Sequence, residues 1–387
     1  MNQRTTKRLL LQASVCLSLL SSCIGKTQQI EMDRHESVVV NIDPSEDTGL
    51  LAADQYTIDS IVSLDMPEKA KGIIVDRFEV KGGRIYIMDS YVNKTVFVFN
   101  SKGDYLHKLG ERGRARYEYA DAPTDFFVDK FGNVYVFDKA GQKVLVFDRK
   151  GRLLNSTSSH RCWATSFGLT SNNRYAFCIN EMGDYGSLMF SDWNHGNERI
   201  VLPSHRRSVY VPTKITFFSN GDRLSHVPIL SDSVLVFQED SLVKTVRFKF
   251  KCGFLKDDMP EVTSDLKKSE KIKDYKGAGP ILSYQETDYH ILLEYVHHGL
   301  VNRWLYNKTT GQVVNNFNMF EGISPAMSYI LKDKQMIGLV QDDILEVYSE
   351  LKDNPEYLSH LAISPSQIQQ IMAGEIKLPL IIFYNIN

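Results

Sequence analysis

From residue 36 onward, apolar residues come in short bursts that alternate with polar ones, and the bursts are separated by Asp, Asn and Gly. Alternation over four to eight positions, rich in β-branched and aromatic residues, predicts half-buried strands. One unit reads Gly83-Arg-Ile-Tyr-Ile-Met-Asp89, a break at 92–94, Thr95-Val-Phe-Val-Phe-Asn100, the turn Ser101-Lys-Gly-Asp104, then Tyr105-Leu-His-Lys-Leu-Gly110. The next reads Gly132-Asn-Val-Tyr-Val-Phe-Asp138, Lys143-Val-Leu-Val-Phe-Asp148, the turn 149–152 and Leu153-Leu-Asn155, so Gly83 matches Gly132 and Asp89 matches Asp138 at an offset of 49. Weaker copies start at Asn173, Asp222, His290 and Gln335, and Pro379-Leu-Ile-Ile-Phe-Tyr384 ends the last. A repeat of roughly 40–50 residues built from four short strands is the signature of a propeller blade. A lone four-stranded sheet cannot bury both faces, whereas six packed radially can. The pattern therefore predicts an all-β fold, a six-bladed β-propeller with four-stranded antiparallel blades.

The strand expected at 36–42 is assigned to the last blade, where it would close the ring and remove two free sheet edges. Two stretches break the repeat. Residues 255–276 are rich in Lys, Asp and Glu and read as a charged, solvated insertion. Residues 364–373 read as a short helix, with Ser364 as N-cap, Pro365 at the first helical position and Gly374 at the stop.

Ahead of the repeats, Arg4, Lys7 and Arg8 precede an apolar run from Leu9 to Leu20. The run is about twelve residues, too short for a helix across roughly 30 Å of hydrocarbon. It ends Leu20-Ser21-Ser22-Cys23, which resembles the bacterial lipobox. Small residues admit the peptidase, and the Cys23 thiol takes the diacylglycerol. The domain reading is a lipoprotein signal peptide at 1–22, a lipidated flexible tether at 23–35 and the propeller at 36–387. Two or three acyl chains on Cys23 would make the membrane a stable partner. Residues 24–27 hold no acidic cluster of the surface-export kind. The expected location is the bacterial cell envelope, with a periplasm-facing anchor favoured over the cell surface.

Charge removes one class of partner. Of the 45 basic residues, Arg4, Lys7 and Arg8 lie before Cys23, and none of the 47 acidic residues does, so the chain from Cys23 onward carries a formal net charge of −5. With no basic stripe, nucleic acid is not an expected partner. Cysteine use adds little. Beyond Cys16 and Cys23 there remain Cys162, Cys178 and Cys252. A hairpin centred on 171–173 sets Cys178 opposite Thr165, roughly 10 Å along the strand from Cys162 and too far for a disulfide. All three are expected to be free and buried.

The runs Gly110-Glu-Arg-Gly-Arg-Ala-Arg-Tyr-Glu-Tyr119, Asp125-Phe-Phe-Val-Asp129 and 132–138 resemble the six-bladed β-propeller lipoproteins common in Bacteroides-like bacteria, whose blades are similar to NHL repeats. The closing run Leu378-Pro-Leu-Ile-Ile-Phe-Tyr-Asn-Ile386 is similar to that family's last strand. The family usually carries a Gly-x-Gly-Pro-Gly-Glu-Tyr type of loop. Here the loop is Gly113-Arg-Ala-Arg-Tyr-Glu-Tyr119, without the Pro and the second Gly. The resemblance implies the propeller fold and no established catalytic activity.

In a blade of this type the first strand lines a central channel, and the connection between blades lies near its mouth. Residues 111–124 form such a connection. Arg112, Arg114, Arg116, Tyr117, Glu118 and Tyr119 could bind a small acidic or sugar ligand by forked hydrogen bonds and stacking. The competing reading pairs Glu118 with an arginine and packs the tyrosines into the blade junction. Asp89 and Asp138 recur at equivalent strand ends, as turn-capping carboxylates do. His297 and His298, adjacent in a strand, are expected on opposite faces and not on one ion. No metal, cofactor or catalytic residue is assigned. The expected activity is that of a non-catalytic, monomeric, ligand- or protein-binding propeller, with an envelope protein or a small acidic or sugar ligand as partner. The alternative is a lactonase-like hydrolase or lyase with a metal in the central channel.

Overall fold

The structure is a computed structural model that describes residues 35–45, 56–70, 72–115, 117–158, 164–179, 188–192, 198–202, 216–228, 231–255, 276–315, 329–341 and 365–386. Two strands, β1 (Glu36–Ile42) and β2 (Tyr56–Ser63), precede the repeats. Blade 1 is β3 (Arg77–Lys81), β4 (Arg84–Asp89), β5 (Thr95–Asn100) and β6 (Tyr105–Leu109). Blade 2 is β7 (Asp125–Val128), β8 (Val134–Asp138), β9 (Lys143–Phe147) and β10 (Leu153–Ser158). Blade 3 is β11 (Ala164–Leu169), β12 (Tyr175–Ile179), β13 (Leu188–Ser191) and β14 (Arg199–Leu202). Blade 4 is β15 (Phe217–Asn220), β16 (Arg223–His226), β17 (Ser233–Gln238) and β18 (Ser241–Phe250). Blade 5 is β19 (Ala278–Glu286), β20 (His290–His297), β21 (Leu300–Asn307) and β22 (Val313–Asn315). Blade 6 is β23 (Tyr329–Lys332), β24 (Gln335–Val340), β25 (Leu380–Ile386) and the early strand β2. The sequence is thus the six-bladed, four-stranded propeller that its repeats predict.

The alternation along each strand sorts side chains between the two seams that flank its blade. Ile85, Ile87, Phe97 and Phe99 pack with Ile337, Leu339 and Ile381 of blade 6. Their neighbours Tyr86, Met88, Val96 and Val98 pack with Phe126, Val134, Val136 and Leu145 of blade 2. Both faces of a blade are therefore apolar, and β5 is buried from Thr95 to Phe99. Burial of this kind stabilises by about 25 cal/mol per Å² of apolar surface removed from water.

Ring closure differs from the expectation. It is β2, not the strand at 36–42, that pairs antiparallel with β25, from Tyr56 opposite Ile386 to Ser63 opposite Leu380. Connectivity explains it. The outer strand of every blade leads directly into the inner strand of the next, so the segment nearest β3 must fill that place. The strand at 36–42 instead lies parallel to β18 and makes blade 4 five-stranded.

The helix α1 (Pro365–Met372) stands close to the predicted 364–373 and stops where Gly374 takes φ 75°. Ser364 and residues 256–275 of the charged insertion lie outside the described residues, as do the signal, Cys23 and Cys162. Cys178 pairs across from Ser166, one residue from the predicted Thr165. It is buried, and burial pushes its thiol up to about 11. Cys252 corrects the expectation of a buried thiol: it is exposed in the turn after β18.

Candidate functional site: the channel mouth

Antiparallel order gives the ring two unlike faces. The turn face carries the hairpins joining first to second and third to fourth strands, such as 82–83 and 101–104. The loop face carries the second-to-third hairpins, such as 90–94, and the connections between blades, including 111–124.

On the loop face the candidate loop is held from within. Tyr119 is wholly buried, and its hydroxyl donates to Leu109 O at 2.5 Å. Gly110 sits at φ 65° beneath it, where an added Cβ would lie 2.8 Å from the Tyr119 ring. Glu118 Oε2 accepts the Ala115 amide at 2.8 Å, and Lys143 Nζ donates to the Glu118 carbonyl; among the described residues no arginine pairs with it. Asp138 Oδ2 accepts the Ala120 amide at 2.7 Å. Arg112, Arg114 and Tyr117 remain exposed, and Arg112 Nε stands 3.7 Å from Asp121 Oδ1. Arg116 lies outside the described residues. The five described residues of the six singled out from sequence thus divide, with Glu118 and Tyr119 building the loop and Arg112, Arg114 and Tyr117 displayed by it.

The carboxylates at strand ends are turn caps. Asp89 accepts the amides of Tyr91, Val92 and Asn93 at 3.0, 2.9 and 3.1 Å. The His297 and His298 rings do not point apart: their centroids are 4.1 Å from each other, because His298 leaves the strand at φ 50°.

A cavity of about 210 Å³ opens in the channel towards the turn face. Its walls are inner strands β3, β7, β15 and β23, which contribute Arg77, Glu79, Lys81, Phe127, Asn220, Lys332 and Asp333. In β3 the period of two separates roles. Phe78 and Val80 join the core shared with blade 6. Arg77, Glu79 and Lys81 take the other side. Arg77 pairs with Asp125, and its guanidinium carbon stands 4.8 Å from the Phe127 ring centroid. Asp125 Oδ2 accepts the Phe167 amide at 3.3 Å, so one carboxylate ties the inner strands of blades 1, 2 and 3. Lys81 Nζ donates to Val128 O at 2.6 Å and stands 3.9 Å from Glu79 Oε1. Burial raises the Glu79 carboxyl above its ordinary range, while Lys81 and Arg77 pull it back. In the neighbouring blade 6, Lys332 and Asp333 are exposed at the rim.

This cavity is below the roughly 300–1,000 Å³ of drug-sized sites, and both signs of charge line it. Its residues were missed in the sequence, although a signal was there. Arg77-Phe-Glu-Val-Lys81 places charge at every second position of a short strand between apolar runs. Among the described residues no three His, Cys, Asp or Glu side chains gather as a metal site.

These features define a six-bladed propeller with a small, charged pocket at one end of its channel. The chain belongs to the family described as a domain of unknown function, DUF4934, whose model matches residues 72–368. Among solved structures it is similar to a Bacteroides fragilis NCTC 9343 protein described as a "putative exported protein", at 14% identity and TM-score 0.72, covering 90% of this chain and 100% of that one. It is also similar to a DUF4221 family member from Bacteroides vulgatus ATCC 8482, at 7% identity and TM-score 0.52, covering 86% and 97%. At such identities the likeness concerns the fold. No curated protein matches the chain.

Proposed function

We propose that this protein is an exported, lipid-anchored envelope propeller that binds a small polar ligand in the channel mouth without transforming it. The observation that carries the binding reading is the cavity walled by Glu79, Lys81, Lys332 and Asp333. Charges of both signs around a small pocket suit a ligand bearing both an acidic and a basic or hydroxyl group. Arg77 and Asp125 satisfy each other, which favours a binding wall over a pair free for acid–base work. The lipobox-like run Leu20-Ser21-Ser22-Cys23 supports the anchor, and the exported description of the Bacteroides fragilis neighbour supports export alone.

Calorimetry against amino acids, small carboxylates and sugar acids tests the reading. The ligand found should lose at least about tenfold in affinity, or roughly 1.4 kcal/mol, in Lys332→Ala and in Glu79→Gln, with melting temperature unchanged. Full affinity in both variants, with loss in Arg112→Ala/Arg114→Ala/Arg116→Ala, would move the site to the loop face.

A further inference from the structure

We infer that the propeller rests on an anionic lipid surface by the turn-face side of its blade 2–blade 4 sector, leaving the loop face clear. The inference rests on the lipid-anchor reading above and deepens it, because it names which part of the molecule meets the membrane.

The first observation is the direction of β1. It runs parallel to β18, with Glu36 beside Lys244 and Ile42 beside Phe250. Strand β18 leaves the 239–240 turn on the turn face and climbs towards the loop face. The chain therefore enters blade 4 from the turn face, on its outermost strand. β1 is fastened there: Lys251 N donates to Ile42 O at 2.9 Å, and Asn315 Nδ2 of blade 5 donates to Asp43 O at 2.6 Å. Only residues 24–35 separate Glu36 from Cys23. At about 3.3–3.6 Å per residue they reach no more than roughly 45 Å. An acyl group on Cys23 thus keeps the point where β1 enters blade 4 on the turn face within roughly 45 Å of the bilayer.

The second observation is independent of the first. Two hairpin tips of blade 2 meet on the same face, 129–133 and 148–152. They expose Lys130, Phe131, Arg149, Lys150 and Arg152, and the adjoining outer strand exposes Leu153 and Leu154. Phe131 is 67% exposed and Leu154 57%. The Lys130 ammonium stands 5.3 Å from the Phe131 ring centroid. Against these cations the two tips carry Asp129 and Asp148: Asp129 accepts Phe131 N and Asn133 N at 2.8 Å each, while Asp148 accepts Lys150 N at 2.9 Å and pairs with Arg152 at 2.7 Å, which leaves Lys130, Arg149 and Lys150 without an acidic partner within the two tips. A local excess of basic charge around exposed apolar tips, on a chain that is acidic as a whole, suits an interface of anionic headgroups.

Blades 2 and 4 flank blade 3, so tether and patch lie on one arc of the rim. The loop face, with Arg112, Arg114 and Tyr117 exposed on it, is directed away from the bilayer.

The test uses the acylated protein in phosphatidylethanolamine–phosphatidylglycerol vesicles, with amine-reactive labelling read by mass spectrometry against the same protein in detergent. Lys130 and Lys150 should lose labelling several-fold in vesicles, while Lys139 on the loop face keeps it. Phe131→Ser combined with Arg152→Gln should restore labelling at Lys130 and Lys150 with the protein still vesicle-bound. Equal labelling of all three lysines, with acyl chains present on the Cys23 peptide, overturns the orientation and leaves the anchor standing. A Cys23 peptide without acyl mass overturns both.

Discussion

Lys308 Nζ donates to Glu286 Oε1 at 2.6 Å, and Lys244 Nζ reaches the same oxygen at 2.9 Å. Tyr284 donates its hydroxyl to Oε2 at 2.6 Å. One carboxylate thereby joins blade 4, through β18, to the C-terminal ends of the first and third strands of blade 5. Burial works to raise this carboxyl, but the three hydrogen bonds outweigh it and hold it at about 2. Its contribution is complete above the unfolded value near 4.3 and disappears as pH falls towards 2. We expect about 2–3 kcal/mol of stability to be lost between pH 6 and pH 2.5 through this group. Urea denaturation across that range should show the drop in the wild type and a shallower one in Glu286→Gln. Parallel curves for the two proteins would contradict it.

Arg303 and Glu294 face each other across β20 and β21, Nε to Oε1 at 2.9 Å, with both side chains buried. Removing one partner strands a buried charge. Glu294→Ala should cost about 3–5 kcal/mol, whereas Glu294→Leu with Arg303→Met should recover most of it. A double-mutant cycle measures both, and additive losses would show that the pair is not coupled.

Asp138 caps two segments at once, accepting Gly141 N at 2.9 Å and Ala120 N at 2.7 Å. Asp138→Ala leaves both amides without that acceptor, at a cost of about 1–3 kcal/mol. Hydrogen exchange should accelerate at Ala120 and Gly141 before it does in β8. Unchanged protection at Ala120 would mean that the loop is held by Tyr119 alone.

The two N-terminal strands should differ in weight. Leu64, directly after β2, is fully buried against Val75, Phe78 and Ile85, and its amide donates to Pro379 O at 3.1 Å. Leu64→Ala should cost about 2–5 kcal/mol. Val39 in β1 is 47% exposed, and Val39→Ala should stay within about 0.5 kcal/mol. Equal losses in thermal melts would place β1 in the closing machinery.

Much of this architecture is legible in a linear reading. The runs 84–89 and 95–100 carry their own strand signal, their Asp and Gly residues mark the turns, and Asp89 and Asp138 cap as their repetition implies. The loop 111–124 is recognisable as a connection. What could not be read is which of its side chains turn inward. Tyr117 and Tyr119 look alike in sequence, yet one is 57% exposed and the other wholly buried.

Local composition and period by themselves determined that this chain is a ring of six similar sheets, because alternation and turn chemistry act within a few residues. Only the tertiary structure decided which N-terminal strand closes the ring, and that Arg77, Glu79 and Lys81 meet Asn220, Lys332 and Asp333 around one cavity. Those residues are separated by more than a hundred positions, and their encounter depends on the radius and order of the blades, which no local pattern encodes.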